Sequence, residues 1–323
     1  MKKGKQMLAS RAVLITILLL LSLVSLNIGA KEFHITDLFK GNADAVALAM
    51  ISRIPRLVAI LVTGASLSIA GLIMQTITSN KFVSPATAGT MEWCKLGIIL
   101  AMVLTAGQSK MTKILFAFAV SLGGTMFFMF MLQKIKLKNI VLVPLVGMML
   151  GNVVSSFTGY IAYKYDVIQN MSSWLQGSFS LVIKGNYELL YIGIPFLVVA
   201  YLYANKFTIA GMGDGFATSL GLNHKAVVTV GMVIVAFITS ITVVTIGSIP
   251  FIGLVVPNIV AIYKGDHLKN TLLDTALFGS LFVLACDIIG RVIYAPYEVS
   301  ISVVISVLGS AIFLLLILRK EGK

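Results

Sequence analysis

Long apolar runs separated by short polar stretches are the dominant pattern of this chain. A helix rising 1.5 Å per residue crosses the ~30 Å hydrocarbon layer with ~20 residues. On that scale the pattern predicts spans at about 12–30, 57–78, 93–108, 112–132, 139–160, 188–205, 226–246, 248–263, 271–291 and 301–318. The spans near 93–108 and 248–263 are short, and Pro250 and Pro257 interrupt the second of them. Short or proline-broken spans in corresponding halves point to a transport pathway. The run after Arg56 is unlike a lipid anchor, because it carries Thr63, Gly64, Ser66, Ser68, Gly71 and Gln75. Small and polar residues in a span face other helices or a cavity. The stretch from Arg53 to Thr90 is therefore the one around which the chain is organised.

Composition agrees. Hydrophobic residues make up 58% and charged residues 11% of the 323, against roughly 45–50% and 25% in soluble domains. The expected class is an all-α integral membrane protein of about ten spans, one transmembrane domain over residues 1–323. The net charge of +13 does not indicate nucleic acid, since the basic residues are scattered between apolar runs and form no basic face. They read as topology signals. A cytoplasmic start puts fifteen Lys and Arg inside and nine outside, with Lys134, Lys136 and Lys138 the clearest inner marker. Both termini are then cytoplasmic. The first apolar run exceeds the 7–15 residues of a signal core, which predicts an uncleaved span.

Candidate chemistry is sparse. Cys94 and Cys286 are too few and too distant for a metal motif or disulfide framework, and His34, His224 and His267 are isolated. No metal site and no catalytic residue is expected. The chain has no Gly-x-x-x-x-Gly-Lys-Ser/Thr, so it is not expected to hydrolyse ATP by itself, and energy would come from a partner or an ion gradient. Asp287 precedes Arg291 by four residues, which suits a local pair better than a proton relay. Glu92 and Glu298 lie near span ends, where exposure is the default. Trp174, in the outer loop, reads as an interfacial anchor. Pro55 favours an extended or turn entry to its span, with the guanidiniums of Arg53 and Arg56 turned outward. The inner loop at 206–225 is polar and glycine-rich, and by composition alone it is a flexible linker.

Several motifs in order resemble one family. They are Arg53-Ile-Pro-Arg56, the glycine-bearing span ending in Gln75, and Asn80-Lys-Phe-Val-Ser-Pro85-Ala-Thr-Ala-Gly89. In the C-terminal half they are Leu220-Gly221, Gly247-Ser-Ile-Pro-Phe-Ile-Gly253-Leu-Val-Val-Pro257, Gly265-Asp-His267 and Asp287-Ile-Ile-Gly-Arg291. Together they resemble the permease subunits of binding-protein-dependent ABC importers for iron chelates and vitamin B12. The segment from Ser84 to Trp93 is similar to a subgroup importing ferric siderophores, particularly catecholates.

The resemblance implies two related halves, spans two to five and seven to ten. It implies a second permease chain, identical or homologous, with two ATPase subunits that carry ATP and Mg, and an extracytoplasmic substrate-binding protein. The chain itself would hold no cofactor and would sit among the lipids of a bacterial cytoplasmic membrane. Arg53, Arg56 and Arg291 would dock the binding protein. The inner loop would form two short helices seated on the ATPase, with Gly213, Ala217, Ser219, Leu220 and Gly221 at the contact and Leu220 and Leu222 as anchors. Asn80 and Phe82, with Asn139 as a second layer, would form a cytoplasmic gate. Gln75, Pro85, Gly253, Pro257 and Asn258 are the pathway candidates. The expected cargo is a ferric siderophore, with haem or a corrinoid, or an ion-coupled carrier, as alternatives. The chain departs from the family where Asn80-Lys81-Phe82 replaces Asn-Pro-Leu and Pro257-Asn258 replaces Pro-His. Glu298-Val-Ser-Ile-Ser302 likewise replaces Glu-Leu-Pro-x-Gly.

Overall fold

The apolar run after Arg56 does not begin there but continues a helix that starts at Ala43. The structure, a computed structural model, describes residues 11–29, 43–87, 89–134, 142–185 and 187–321. In chain order the helices begin with α1 (Arg11–Asn27), α2 (Ala43–Ile77), α3 (Thr90–Leu104), α4 (Lys110–Lys134), α5 (Leu142–Lys164) and α6 (Ile168–Leu175). They continue with α7 (Gly193–Ala210), α8 (Asp214–Ser219), α9 (His224–Ile246), α10 (Ile252–Lys264), α11 (Leu268–Val292) and α12 (Ile301–Glu321). Ten of them fall on the ten expected spans, while α6 and α8 are short helices within loops. Among the described residues six are long and apolar enough to cross a membrane, and α1, α10 and α12 are shorter apolar helices. The chain is an all-α, multi-pass membrane protein.

Pro55 does not open the second span in extended form. Residues Ala49–Arg53 make a π-helical turn, and Arg53 itself is helical at φ −68°, ψ −50°. Pro55 is the second residue of the α-helical stretch that follows this π turn, inside the continuous helix. The approach to the bilayer is thus a rigid helix.

The apolar windows of α2 and α9 are each 72% buried inside the chain, against 22–28% for α4, α5 and α7. Hence α2 and α9 are the central helices and the others present a face outward. Helix α2 packs on α1, α7, α9, α10 and α11. Its small residues allow this. A Cβ on Gly64 would sit 2.6 Å from the Gly279 carbonyl oxygen of α11, and one on Gly71 would collide with the backbone of Gly253. Backbones meet at these crossings, and Ser280 Oγ donates to Leu61 O at 2.7 Å beside the first.

Helix α10 begins late because residues 247–251 are not helical. Such backbone survives at membrane depth only if it is satisfied inside the protein. Ser248 N donates to Leu175 O at 2.9 Å, and Ser178 N donates to Ile246 O at 3.2 Å. Gln176 and Ser248 form an isolated parallel bridge. The loop after α6 therefore caps the broken segment. Trp174 belongs to this cap: its Nε1 donates to Val244 O at 2.9 Å, and the ring packs on the core. It fastens a loop to α9, where an interfacial anchor had been expected.

Candidate functional site

At one end of the molecule Arg53, Arg56 and Arg291 converge. Arg56 Nη2 donates to Asp287 Oδ1 at 2.8 Å, and its Nη1 donates to both oxygens of Glu298 at 2.9 Å. Arg291 is ion-paired with Asp287 Oδ2 at 2.5 Å. The expected i, i+4 pair is present, but Asp287 serves two arginines. Helix α1 ends here, and its last carbonyls need donors. Arg291 Nη1 supplies them to Ser25 O at 2.9 Å and Ile28 O at 2.8 Å, and Arg53 Nη1 supplies Ile28 O at 2.5 Å. Arg53 is only 8% exposed and Arg291 only 5%. Arg53, expected to turn outward beside Arg56, and Arg291, expected at the same docking surface, each turn a guanidinium onto the end of α1. Arg56 and Glu298 remain partly open to solvent, and Glu298 is a partner of Arg56 where simple exposure was expected.

At the opposite end the turn after α2 gathers the inner residues. Asn80 Oδ1 accepts from Phe82 N at 2.9 Å, and the half-exposed Phe82 ring stands edge-on to Phe313 of α12 at 6.0 Å. Lys81 pairs with Asp266. Ser79, at φ 48°, donates through Oγ to Gly211 O at 2.5 Å. The turn thus touches the inner loop directly. Asn139 lies outside the described residues.

The pathway candidates are brought together, but inside the chain. Gln75, Pro85, Gly253 and Pro257 are buried, and Asn258 is half-buried. Pro257 has no N–H, so the carbonyl of Gly253, four residues earlier, loses its helical donor. Gln75 Nε2 donates to that oxygen at 3.2 Å, and to Leu254 O at 3.2 Å. Asn258 Nδ2 reaches Leu254 O at 2.7 Å and Lys81 O at 2.9 Å. These side chains clamp a broken helix to α2. They do not line an open face.

The inner loop holds one short helix, α8, between Gly213 and Leu220, where two were expected. Gly213 at φ 103° allows the turn into it. Ala217 is fully buried, while Met212, Phe216 and Leu220 are all exposed. Phe216 lies on α8, with Met212 just before its Gly213 turn and Leu220 at its end, so Leu220 is not an anchor within this chain.

Sequence reasoning missed a polar stripe on the outward faces of α5 and α12. Asn152, Ser156, Tyr160 and Tyr163 of α5 are exposed or half-exposed, and Ser302, Ser306 and Ser310 of α12 are half-exposed. The serine repeat of four in the last span was the available signal.

Such an assembly of spans, with a broken helix clamped at its centre and apolar side chains bared on an inner loop, defines a membrane permease. The sequence matches the FecCD transport family over residues 17–319, and the chain belongs to that family of ABC-importer permeases. It is 51% identical to the petrobactin import system permease protein YclN of Bacillus subtilis, covering 96% of this chain and 98% of that one. It is 38% identical to the ferric-anguibactin transport system permease protein FatD of Vibrio anguillarum, over 91% of this chain and 94% of the other. A solved metal-chelate type ABC transporter in an inward-facing conformation shares the fold, with a TM-score of 0.83 at 21% identity, covering 95% and 97% of the two chains.

Proposed function

We propose that this chain is the permease through which a ferric siderophore of the petrobactin class enters the cytoplasm. The observation that carries the reading is its 51% identity, over nearly the whole chain, to a petrobactin permease. The chain holds no cofactor. Energy comes from ATP and Mg on two separate ATPase subunits, and a second permease chain and an extracytoplasmic binding protein complete the importer. Both termini face the cytoplasm, in keeping with the basic residues, and residues 206–225 are the coupling loop. There Met212, Phe216 and Leu220 seat in an apolar groove of the ATPase, with Gly213, Ala217, Ser219 and Gly221 shaping the contact. Asn80, Phe82 and Asn139 form the inner gate. Arg56 offers the exposed edge of the arginine cluster to acidic groups of the binding protein, while Arg53 and Arg291 hold the platform. The pathway runs along the stripes of α5 and α12, where polar groups in a span are costly unless a cavity or a partner meets them.

The test is uptake of ferric petrobactin into ATP-loaded proteoliposomes holding the complete importer, with and without an ionophore. Uptake needs ATP and survives the ionophore. Uptake abolished by the ionophore defeats the ATP-driven mechanism, and transport of haem or a corrinoid in place of the siderophore defeats the cargo. Leu220→Asp abolishes ATPase co-purification, because a charge desolvated in an apolar groove costs several kcal/mol. Normal stoichiometry and transport in that variant would show the loop to be a linker.

A further inference from the structure

Helix α3 carries an ion pair at membrane depth that the permease reading has not used. Glu92 Oε1 and Lys95 Nζ are 2.7 Å apart, on one face of α3. The depth follows from α5. Glu92 Cγ comes within 3.3 Å of the position a Cβ on Gly151 would take. At 1.5 Å per residue, Gly151 stands ~14 Å from the Leu142 end of α5 and ~20 Å from its Lys164 end. A Lys or Asp near the centre of a lipid-facing helix is costly, and such groups face a partner or a water-filled cavity. Yet the Lys95 side chain is 32% exposed and that of Glu92 20%. The rest of α3 from Leu96 to Ile99 is buried. This pair therefore opens onto something other than hydrocarbon.

Two independent observations say what. First, the Lys95 ammonium can donate three hydrogen bonds, and Glu92 Oε1 is the one acceptor found for it among the described residues. Second, the next residue after Gly151 is Asn152, the first member of the polar stripe on α5. The residues named form no cluster able to hold a metal ion; no group of three or more His, Cys, Asp or Glu exists among the described residues.

We propose that Glu92 and Lys95 form an anion-binding station on the permeation pathway, and that Lys95 contacts the carboxylate or phenolate oxygens of the passing ferric chelate. Between transport events Glu92 holds the ammonium in place and neutralises it. The chelate's oxygens complete the Lys95 donor set as it passes, and Glu92, itself negative, keeps the ligand from being held too firmly. A neutral chelate gains nothing there, so the station selects for negatively charged complexes. The proposal rests on the permease reading, and its readout is independent of uptake.

The experiment uses the complete importer in proteoliposomes with Asn152→Cys, the chain without that substitution supplying the background from buried Cys94 and Cys286. Membrane-impermeant thiosulfonates of opposite charge are the probes. The anionic reagent reacts several-fold faster than the cationic one. That preference grows with Glu92→Gln and vanishes or reverses with Lys95→Met. In uptake, Lys95→Met raises the apparent KM for the binding protein loaded with ferric petrobactin, and Lys95→Arg restores it. An unreactive thiol in the Asn152→Cys variant, or equal rates for the two reagents whatever stands at 95, overturns the station while leaving ATP-driven uptake standing. Absence of ATP-driven uptake by the wild-type importer, with the charge preference intact, instead overturns the cargo reading and spares the station.

Discussion

Replacing Asp287 by Asn tests the arginine platform most directly. The side chain is 3% exposed and holds Arg56 at 2.8 Å and Arg291 at 2.5 Å. Removing one partner of a buried ion pair typically costs 3–5 kcal/mol, because a desolvated charge is left without its counter-charge. Here the loss falls at the low end. Arg56 keeps Glu298, and Arg291 keeps the carbonyls of Ser25 and Ile28. A cost of about 3 kcal/mol, roughly a hundredfold in the folded-to-unfolded ratio, is expected. The two guanidiniums, no longer screened by a shared carboxylate, also repel each other. The assay is equilibrium unfolding of the purified chain in mixed micelles titrated with dodecyl sulfate, run as a double-mutant cycle with Arg291→Met. The double variant should lose less than the sum of the singles by about 2 kcal/mol, since each single removes the same interaction. Additive losses, or a cost below ~1 kcal/mol for Asp287→Asn, would refute the claim that this pair is buried and coupled.

Two further outcomes follow from particular bonds. Glu298→Gln removes a competitor for the Arg56 guanidinium, so the binding protein docks more tightly and the gain grows as salt is lowered, measured by titration of the reconstituted importer against its receptor; unchanged affinity at low salt would show that Arg56 takes no part in docking. Ser79→Ala breaks the link from the inner turn to Gly211, lowering the siderophore moved per ATP while hydrolysis continues; Ser79→Gly, which suits the positive φ, shows the same defect if the hydroxyl is what matters, and normal coupling in both would sink the idea.

The spans were legible because lipid leaves the backbone little choice. A segment without water must satisfy its own N–H and C=O groups, so run length alone announces a helix. The central place of α2 was legible for a related reason. Thr63, Gly64, Ser66, Ser68 and Gly71 would be wasted against lipid, and all five are buried against neighbouring helices. Asp287 and Arg291 were legible because a four-residue spacing fixes a shared face. Arg56 with Glu298 was not, since 242 residues separate them and only tertiary structure joins their faces. The same holds for Arg53 and Arg291 on the end of α1: motif position implied their neighbourhood, but not that an orphaned helix terminus would claim their donors first. Pro55 misled because its local preference competes with the π turn just before it, which carries the helix through.

Gln75 and Lys95 show why polarity in a span could not by itself locate the pathway. Both are polar side chains at membrane depth, and the sequence pattern made Gln75 a pathway candidate while giving Lys95 no place. Their bonding separates them. Gln75 donates to the Gly253 carbonyl that Pro257 leaves without its helical donor and to the Leu254 carbonyl, and it is 4% exposed. Its need arises within the chain and is met there, so it is core. Lys95 meets one carboxylate oxygen, remains a third exposed, and neighbours a carboxylate oxygen that has no partner among the described residues. Its need is not met within them, and in a medium without water that need has to be met by a cavity, a neighbouring chain or a passing ligand. The search for a translocation route in a helical permease is thus a search for polar groups left incompletely satisfied, and clamps such as Gln75 and Asn258 are removed from the candidates by the very bonds that made their segment look unusual.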